Sequence, residues 1–75
     1  MYNIYEKLQW LEEPEGEVQT LTHVVGDVES VAEAEKKIHV LSRGLDQDKY
    51  AAISYEIYEE ENNGEEIFIL SERVK

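Results

Sequence analysis

The sequence predicts a small α+β domain in which one helix covers one face of a four-stranded antiparallel sheet. Three observations lead to this prediction. Residues 28–43 carry apolar side chains at helical spacing, and segments before and after them alternate between apolar and polar residues as strands do. The third is length: 75 residues suffice for one domain only, so residues 1–75 are expected to form a single acidic α+β domain. The predicted element order is β-β-α-β-β.

The helix has the clearest signals in the chain. Asp27 stands before it as the expected N-cap, and Gly44 follows it as the expected C′ residue. Lysine, histidine and arginine lie in its second half, where the helix dipole favours positive charge. The helical stripe is apolar except at Glu35, and it consists of Val28, Val31, Glu35, Ile38, Leu41 and Leu45.

A hairpin is predicted after the helix. Residues 51–58 alternate as a half-buried strand does, and residues 67–70 form the return strand. Asn63-Gly64 between them favours a two-residue type I′ turn, whose two central positions both need positive φ. A longer loop through Glu61 is the alternative. The two-residue turn predicts the cross-strand pairs Ile57–Leu70, Ile53–Val74 and Ser54–Arg73, which match apolar with apolar and polar with polar.

The first part of the chain allows two interpretations. Residues 2–11 alternate as a strand does except at Glu6, but Ile4, Leu8 and Leu11 also share a helical stripe. We favour the strand because tyrosine and tryptophan prefer a pleated surface. Residues 17–25 predict a second strand, and the turn between them contains Pro14, which cannot occupy a central strand.

These elements restrict the sheet to two strand orders. Two hairpins joined by a crossing helix make the strands run up, down, down and up, so a fully antiparallel sheet has order 2-1-3-4 or 1-2-4-3. Either order leaves one sheet face uncovered. It also puts the two acidic turns at opposite ends of the sheet, about 25–30 Å apart for strands of about eight residues.

The charge restricts the partners. Eighteen acidic residues against seven basic ones give a net charge of −11. Nucleic acids and anionic membranes would be repelled, whereas basic proteins would be attracted. The chain contains no cysteine and begins without the basic and apolar segments of a secretory signal. We therefore expect a cytoplasmic protein that binds neither nucleic acid directly nor a membrane.

The carboxylates cluster around the two turns. Because a fixed row of carboxylates can substitute for the phosphates that a basic groove holds, this pattern favours mimicry of nucleic acid. Many inhibitors encoded by phages follow it, and an anti-defence inhibitor of that type is the specific hypothesis. The expected partner is a basic, nucleic-acid-binding protein. Tyr58 is expected on the outward face as an apolar anchor. The predicted binding residues are Glu59, Glu60, Glu61, Glu65 and Glu66, with Glu12, Glu13 and Glu15 as a second patch.

Two alternatives stay open. The protein could be an assembly module that forms a homodimer or larger oligomer through a sheet edge or its open sheet face. Its acidity would then serve solubility. Alternatively, the acidic surface could be an adaptation to high salt that needs no partner.

Nothing in the sequence predicts catalysis, a cofactor or a metal site. Asp46-Gln47-Asp48 begins like a calcium loop, but Ala51 and Ile57 stand where that loop needs glycine and glutamate. Glu35 and His39 lie one helical turn apart and could supply only two metal ligands. No nucleophile motif or phosphate-binding loop accompanies the serine and histidine residues. We therefore expect a binding protein that is not an enzyme.

Overall fold

A computed structural model describes all residues, 1–75, and has the predicted architecture. The strands are β1 (Tyr2–Glu12), β2 (Glu17–Val28), β3 (Ala52–Glu60) and β4 (Glu66–Arg73), and the helix is α1 (Val31–Arg43). A single 3₁₀ turn, Gln47–Lys49, connects α1 to β3. The strands form one antiparallel sheet in the order β2-β1-β3-β4. This is the first of the two predicted orders.

Strand β1 lies in the centre of the sheet, which confirms the strand interpretation of the first segment. It pairs with β2 over its whole length, but its pairing with β3 ends at Gln9 and Ala52. The far ends of β1 and β2 therefore extend beyond the rest of the sheet as a two-stranded arm. The molecule is correspondingly long, with extents of 46 × 24 × 15 Å.

Helix α1 packs against one face of the sheet and leaves the other face open. Only nine of the 75 residues are buried, so the core is small. Each fully buried aliphatic side chain contributes about 2 kcal/mol to stability, which makes these few residues important. The core consists of Ile4, Leu8, Ala34, Ile38, Ile53, Tyr55 and Ile57.

The helix begins three residues later than predicted. Val28 still belongs to β2 and lies opposite Tyr2, and Asp27 lies opposite Asn3 and does not cap the helix. The N-cap is Ser30, whose Oγ accepts a hydrogen bond of 3.1 Å from the backbone N–H of Glu33. Val28, the first residue of the predicted helical stripe, therefore pairs with β1 as part of a strand and is not helical.

The buried face of the helix is also rotated from the predicted stripe. It is centred on Ala34, Ile38 and Ser42, whereas Glu35 is exposed. The helix ends at Gly44 as predicted, but with φ of −79°, so this glycine does not adopt the left-handed conformation expected of a C′ residue.

The β3–β4 turn is longer than predicted. Its only residue with positive φ is Gly64, at +86°, so Asn63-Gly64 does not form a type I′ turn. The Glu61 N–H donates to the Glu65 carbonyl at 2.7 Å, and the Gly64 N–H donates to the Glu61 carbonyl at 3.0 Å. The loop therefore has three residues, 62–64, as in the alternative through Glu61.

A bulge at Ile69 corrects the register after this longer loop. Tyr58 lies opposite Phe68, but the next residue, Ile57, lies opposite Leu70, which leaves Ile69 without a partner. The predicted pairs Ile57–Leu70 and Ser54–Arg73 are therefore confirmed. Val74 donates its N–H to the Ile53 carbonyl at 2.9 Å, which also agrees with the predicted neighbours.

Candidate functional site

The side of the sheet that faces away from α1, the open face, carries the candidate site. Buried residues of β3 alternate with partly exposed ones, so Ser54, Glu56, Tyr58 and Glu60 point away from the helix. This confirms the predicted outward orientation of Tyr58.

Three aromatic side chains form a ladder across the open face. The rings of Tyr5 and Tyr58 are 5.2 Å apart at 80°, and those of Tyr58 and Phe68 are 5.6 Å apart at 71°. Edge-to-face pairs of this kind add about 0.5–1.5 kcal/mol beyond the burial of their surface. The two ring contacts hold the three side chains in fixed positions, and Phe68, which is 51% exposed, keeps them accessible to a partner. We call these three residues the aromatic ladder.

The Glu66 carboxylate is held in position beside this ladder. The Tyr5 hydroxyl donates to Oε1 at 2.6 Å, and Asn3 Nδ2 donates to Oε2 at 3.1 Å. The hydrogen bond to Tyr5, followed by the one to Asn3, lowers the pKa of Glu66 below its ordinary value of 4.5. The same bond from Tyr5 raises the pKa of the Tyr5 hydroxyl to about 12.

This coupling predicts a defined change in the tyrosine titration. Tyr5 has a higher pKa in the folded protein than its ordinary value of 10.0, so its contribution to stability is present below pH 10 and is lost as the pH rises towards 12. In Glu66→Gln, Tyr5 should ionise closer to pH 10, as read from tyrosinate absorbance with Tyr5→Phe identifying its share. An unchanged titration in Glu66→Gln would contradict the hydrogen bond.

Four glutamates at the β3–β4 turn form what we call the hairpin end: Glu60, Glu61, Glu65 and Glu66. Glu60 lies directly opposite Glu66, and the backbones of Glu61 and Glu65 are hydrogen-bonded at the base of the loop. Like charges directly opposite each other destabilise a sheet. No lysine or arginine of the chain lies within 4 Å of any carboxylate, so no ion pair within the protein offsets this repulsion.

Glu59, the fifth glutamate of the predicted patch, points the other way. It follows Tyr58 in the alternation of β3 and therefore lies on the helix side, opposite Tyr2. The Glu59 charge, together with its hydrogen bond, raises the pKa of the Tyr2 hydroxyl. The structure thus brings Tyr58, Glu60 and Glu66 together on the open face and separates Glu59 from them.

The second predicted patch lies at the tip of the two-stranded arm. Glu13 and Glu15 are exposed in the turn, and Glu12 lies opposite Glu17 in a second like-charge pair. The 11 residues of β1 separate this arm tip from the hairpin end by about 33 Å. The two patches therefore lie at opposite ends of the molecule as predicted, but farther apart because the strands are longer than eight residues.

Two basic side chains at the middle of the open face were not predicted as part of the site. Lys7 of β1 and Arg73 of β4 lie directly on either side of Ser54, which is the partner of both. We call Lys7 and Arg73 the central pair. They line a hollow of about 400 Å³. The predicted pair Ser54–Arg73 already placed Arg73 beside Ser54. The position of Lys7 could not be predicted, because the register of β1 against β3 was unknown.

A buried carboxylate was also missed. Glu6 is 5% exposed on the helix side of β1, directly between His23 of β2 and Tyr55 of β3. The Tyr55 hydroxyl donates to Oε2 at 2.7 Å, and His23 Nε2 lies 2.7 Å from Oε1. Burial raises the pKa of the Tyr55 hydroxyl, and the hydrogen bond to Glu6 and the negative charge of Glu6 raise it further. The sequence did contain a sign of this site, because Glu6 is an acidic residue at a position that the alternation of β1 assigns to the buried face.

No group of three or more histidine, aspartate or glutamate side chains is arranged to hold a metal ion. None of the helices has the length and apolar composition needed to cross a membrane. The arrangement offers exposed carboxylates, an aromatic ladder and a basic pair, which are groups suited to binding. Comparison with known proteins found no matching family model, no matching curated protein and no matching solved structure.

Proposed function

We propose that this protein binds a basic surface of a nucleic-acid-binding protein and competes there with nucleic acid. The binding residues are the hairpin end and the aromatic ladder, with the arm tip as a second contact. One observation carries the proposal. Glu60 and Glu66 face each other across β3 and β4, and Glu61 and Glu65 follow at the base of the loop, without a lysine or arginine of the chain in ion-pair contact and beside an accessible aromatic surface.

Electrostatics gives the first physical reason. Opposed glutamates raise the free energy of the isolated protein, and lysine or arginine side chains of a partner would relieve that repulsion on binding. Complementary charge also accelerates association. The excess of acidic residues would therefore increase both the affinity and the rate of binding to a basic surface.

Preorganisation gives the second reason. Glu66 is already fixed by Tyr5 and Asn3, so less side-chain entropy is lost when a partner contacts it. Tyrosine and phenylalanine supply large contact areas at the centres of interfaces, where charged residues alone bind weakly. Tyr58 lies between Tyr5 and Phe68 in the ladder and is the proposed central anchor.

The dimensions are compatible with replacement of a nucleic acid. Eighteen acidic residues on a molecule 46 Å long correspond to one per about 2.6 Å, averaged over all of its faces and including the buried Glu6. Duplex DNA carries one phosphate per about 1.7 Å of its axis. Under this proposal the protein is an inhibitor of the type that phages encode, and it acts in the cytoplasm.

Competition with DNA tests the proposal. The immobilised protein should capture a basic partner from extracts of its source cells, and added duplex DNA or RNA should release that partner. Binding should weaken steeply as salt rises from 50 to 300 mM, because the contacts are between exposed charges. Capture that neither nucleic acid nor salt affects would contradict the proposal.

Strand β4 supports a second candidate, assembly through a sheet edge. It is an edge strand with three consecutive exposed apolar residues, Ile67, Phe68 and Ile69. The bulge at Ile69 and the net charge of −11 both oppose pairing of two copies. Assembly predicts a mass that rises with protein concentration and with salt in light scattering, whereas the leading proposal predicts a monomer under both conditions.

A further inference from the structure

Strand β2 forms one edge of the sheet and pairs with β1 alone. Every second residue of an edge strand turns its backbone N–H and C=O away from the sheet, where another strand can bond them. The pairing of β2 with β1 is regular from Glu17 to Val24, and its one irregularity leaves Val25 without a partner. The outer edge of β2 is therefore a regular row of unpaired backbone groups about 26 Å long.

The sequence of β2 lacks the features that usually protect such an edge, which are charged residues, proline and bulges. Residues 18–26 contain no lysine, arginine, aspartate or glutamate, and no other uncharged run in the chain is as long. The other edge strand, β4, has a bulge at Ile69 and carries the charged residues Glu72 and Arg73. The regular part of β2 has neither kind of protection, so β2 is the edge that is open to another strand.

Exposed apolar side chains lie on both faces of β2. Val18 and Val24 are exposed on the open face, and Leu21 is exposed on the helix side. Leu21 also borders an apolar hollow of about 270 Å³, whose other walls are Leu8, Trp10, Lys49 and Tyr50. The rings of Trp10 and Tyr50 meet edge to face, 6.3 Å apart at 78°, so this wall is fixed. A strand beside β2 would cover the exposed side chains, and a large apolar residue next to Leu21 would close the hollow.

The charges at the two ends of β2 indicate which strand fits. Glu17 precedes the uncharged run and Asp27 follows it, and both are exposed. A strand with lysine or arginine at both ends would meet a carboxylate at each end, whichever direction it runs. Two antiparallel copies of β2 with their uncharged runs aligned would instead place Glu17 opposite Asp27 twice, and each copy carries a charge of −11. The charges therefore favour a segment of another protein over a second copy.

We infer that β2 binds an extended segment of another protein, which joins the sheet as a fifth strand. The segment has an uncharged, β-branched centre of about nine residues with one large apolar side chain, and it has lysine or arginine at both ends. This inference goes beyond the proposed function, because binding uses the backbone of β2 and neither the hairpin end nor the aromatic ladder.

Two synthetic peptides serve as probes. The first alternates threonine and valine over about nine residues around a central phenylalanine, with a lysine pair at each end. In the second, prolines replace the two residues after the phenylalanine, so each edge of the peptide loses an N–H donor while the charge stays the same. Fluorescence anisotropy at about 0.15 M salt measures binding. Hydrogen exchange followed by NMR locates the bound peptide on the protein.

The first peptide should bind at least about tenfold more tightly than the second, because only the first can form an unbroken backbone ladder. In the complex, alternate amides of residues 18–24 should exchange at least about tenfold more slowly than in the free protein, while the amides of β4 stay unchanged. Equal affinity for the two peptides, or unchanged exchange in β2, would overturn the inference.

Neutral variants test the two ends of the site. Glu17→Gln with Asp27→Asn should weaken binding of the first peptide about threefold, as expected for exposed ion pairs. Glu33→Gln with Glu35→Gln has the same net charge, and its substitutions lie at exposed positions of α1, so it should change binding less than about twofold. Equal losses in both variants would show that only total charge attracts the peptide and would overturn the assigned ends. Circular dichroism checks that each variant is folded.

Two further measurements separate this inference from its alternatives. Without peptide, light scattering should give the mass of one chain, and a doubled mass with slowed exchange in β2 would assign this edge to a second copy. Glu60→Gln with Glu66→Gln should change peptide binding less than about twofold, because the hairpin end lies on other strands. Failure of the proposed function would therefore leave the peptide result unchanged.

Discussion

Replacing Glu6 with alanine should lower the free energy of unfolding by about 3 kcal/mol at pH 7. Its carboxylate bridges Tyr55, which is fully buried, and His23, so the substitution removes two hydrogen bonds and leaves the Tyr55 hydroxyl without a partner. No buried side-chain nitrogen or oxygen lacks a partner in the wild type. Glu6→Ala would create the first, in a core of only seven apolar residues.

A double-mutant cycle in urea gives this prediction its control. Tyr55→Phe alone should cost about 2 kcal/mol because it leaves the Glu6 carboxylate buried with one donor fewer. The double variant Glu6→Ala/Tyr55→Phe should cost less than the two single variants together, by about 1 kcal/mol or more, since the buried hydroxyl is then absent. Additive effects, or a loss below about 1 kcal/mol in Glu6→Ala, would show that the buried bridge does not stabilise the sheet.

Ile38→Ala should have a similarly large effect. Ile38 is 1% exposed and is the only large apolar residue of α1 that is fully buried against the sheet. Its truncation should cost about 3 kcal/mol through lost burial and the cavity that remains. A domain of this size has a total stability of about 4–11 kcal/mol, so this is a large share.

The neighbouring Val40→Ala provides the matched comparison, because Val40 is 69% exposed on the same helix. The free energy of unfolding in urea should change by no more than about 0.5 kcal/mol in this variant. Similar losses in Ile38→Ala and Val40→Ala would mean that the helix does not pack through the face described above. The two variants thus test whether α1 packs against the sheet through Ile38.

Much of the fold could be predicted from the sequence because its local signals agree. The alternation of β3 and the apolar spacing of α1 each point to one kind of element, and the antiparallel requirement left only two strand orders. The predicted start of the helix was wrong because Val28 fits both a helical stripe and a strand. Only its pairing with Tyr2 across the sheet decides between them, and that pairing is not local.

The candidate site depended on details of register that sequence patterns do not contain. Asn63-Gly64 favours a two-residue turn, yet the structure combines a three-residue loop with a bulge at Ile69. The predicted pairs beyond the bulge are correct, but between the loop and the bulge Phe68 lies opposite Tyr58, which the two-residue turn did not predict. The aromatic ladder results from this one-residue shift.

Glu6 and the central pair were missed for the same reason. Glu6 was recognised as an exception to the alternation, but its buried position makes sense only when His23 and Tyr55 are its cross-strand neighbours. Lys7 and Arg73 are 66 positions apart in the sequence and meet only across β3. Their apposition depends on two strand registers at once.

The position of the carboxylates, rather than their number, is the central claim of the proposed function. The most direct measurement compares the partner affinity of Glu60→Gln/Glu66→Gln with that of Glu33→Gln/Glu35→Gln, a pair exposed on α1. Both variants have the same net charge. The proposal predicts at least about a tenfold loss for the first variant and less than about a twofold change for the second. Equal losses in both variants would show that the partner senses only total charge and would contradict recognition of a defined surface.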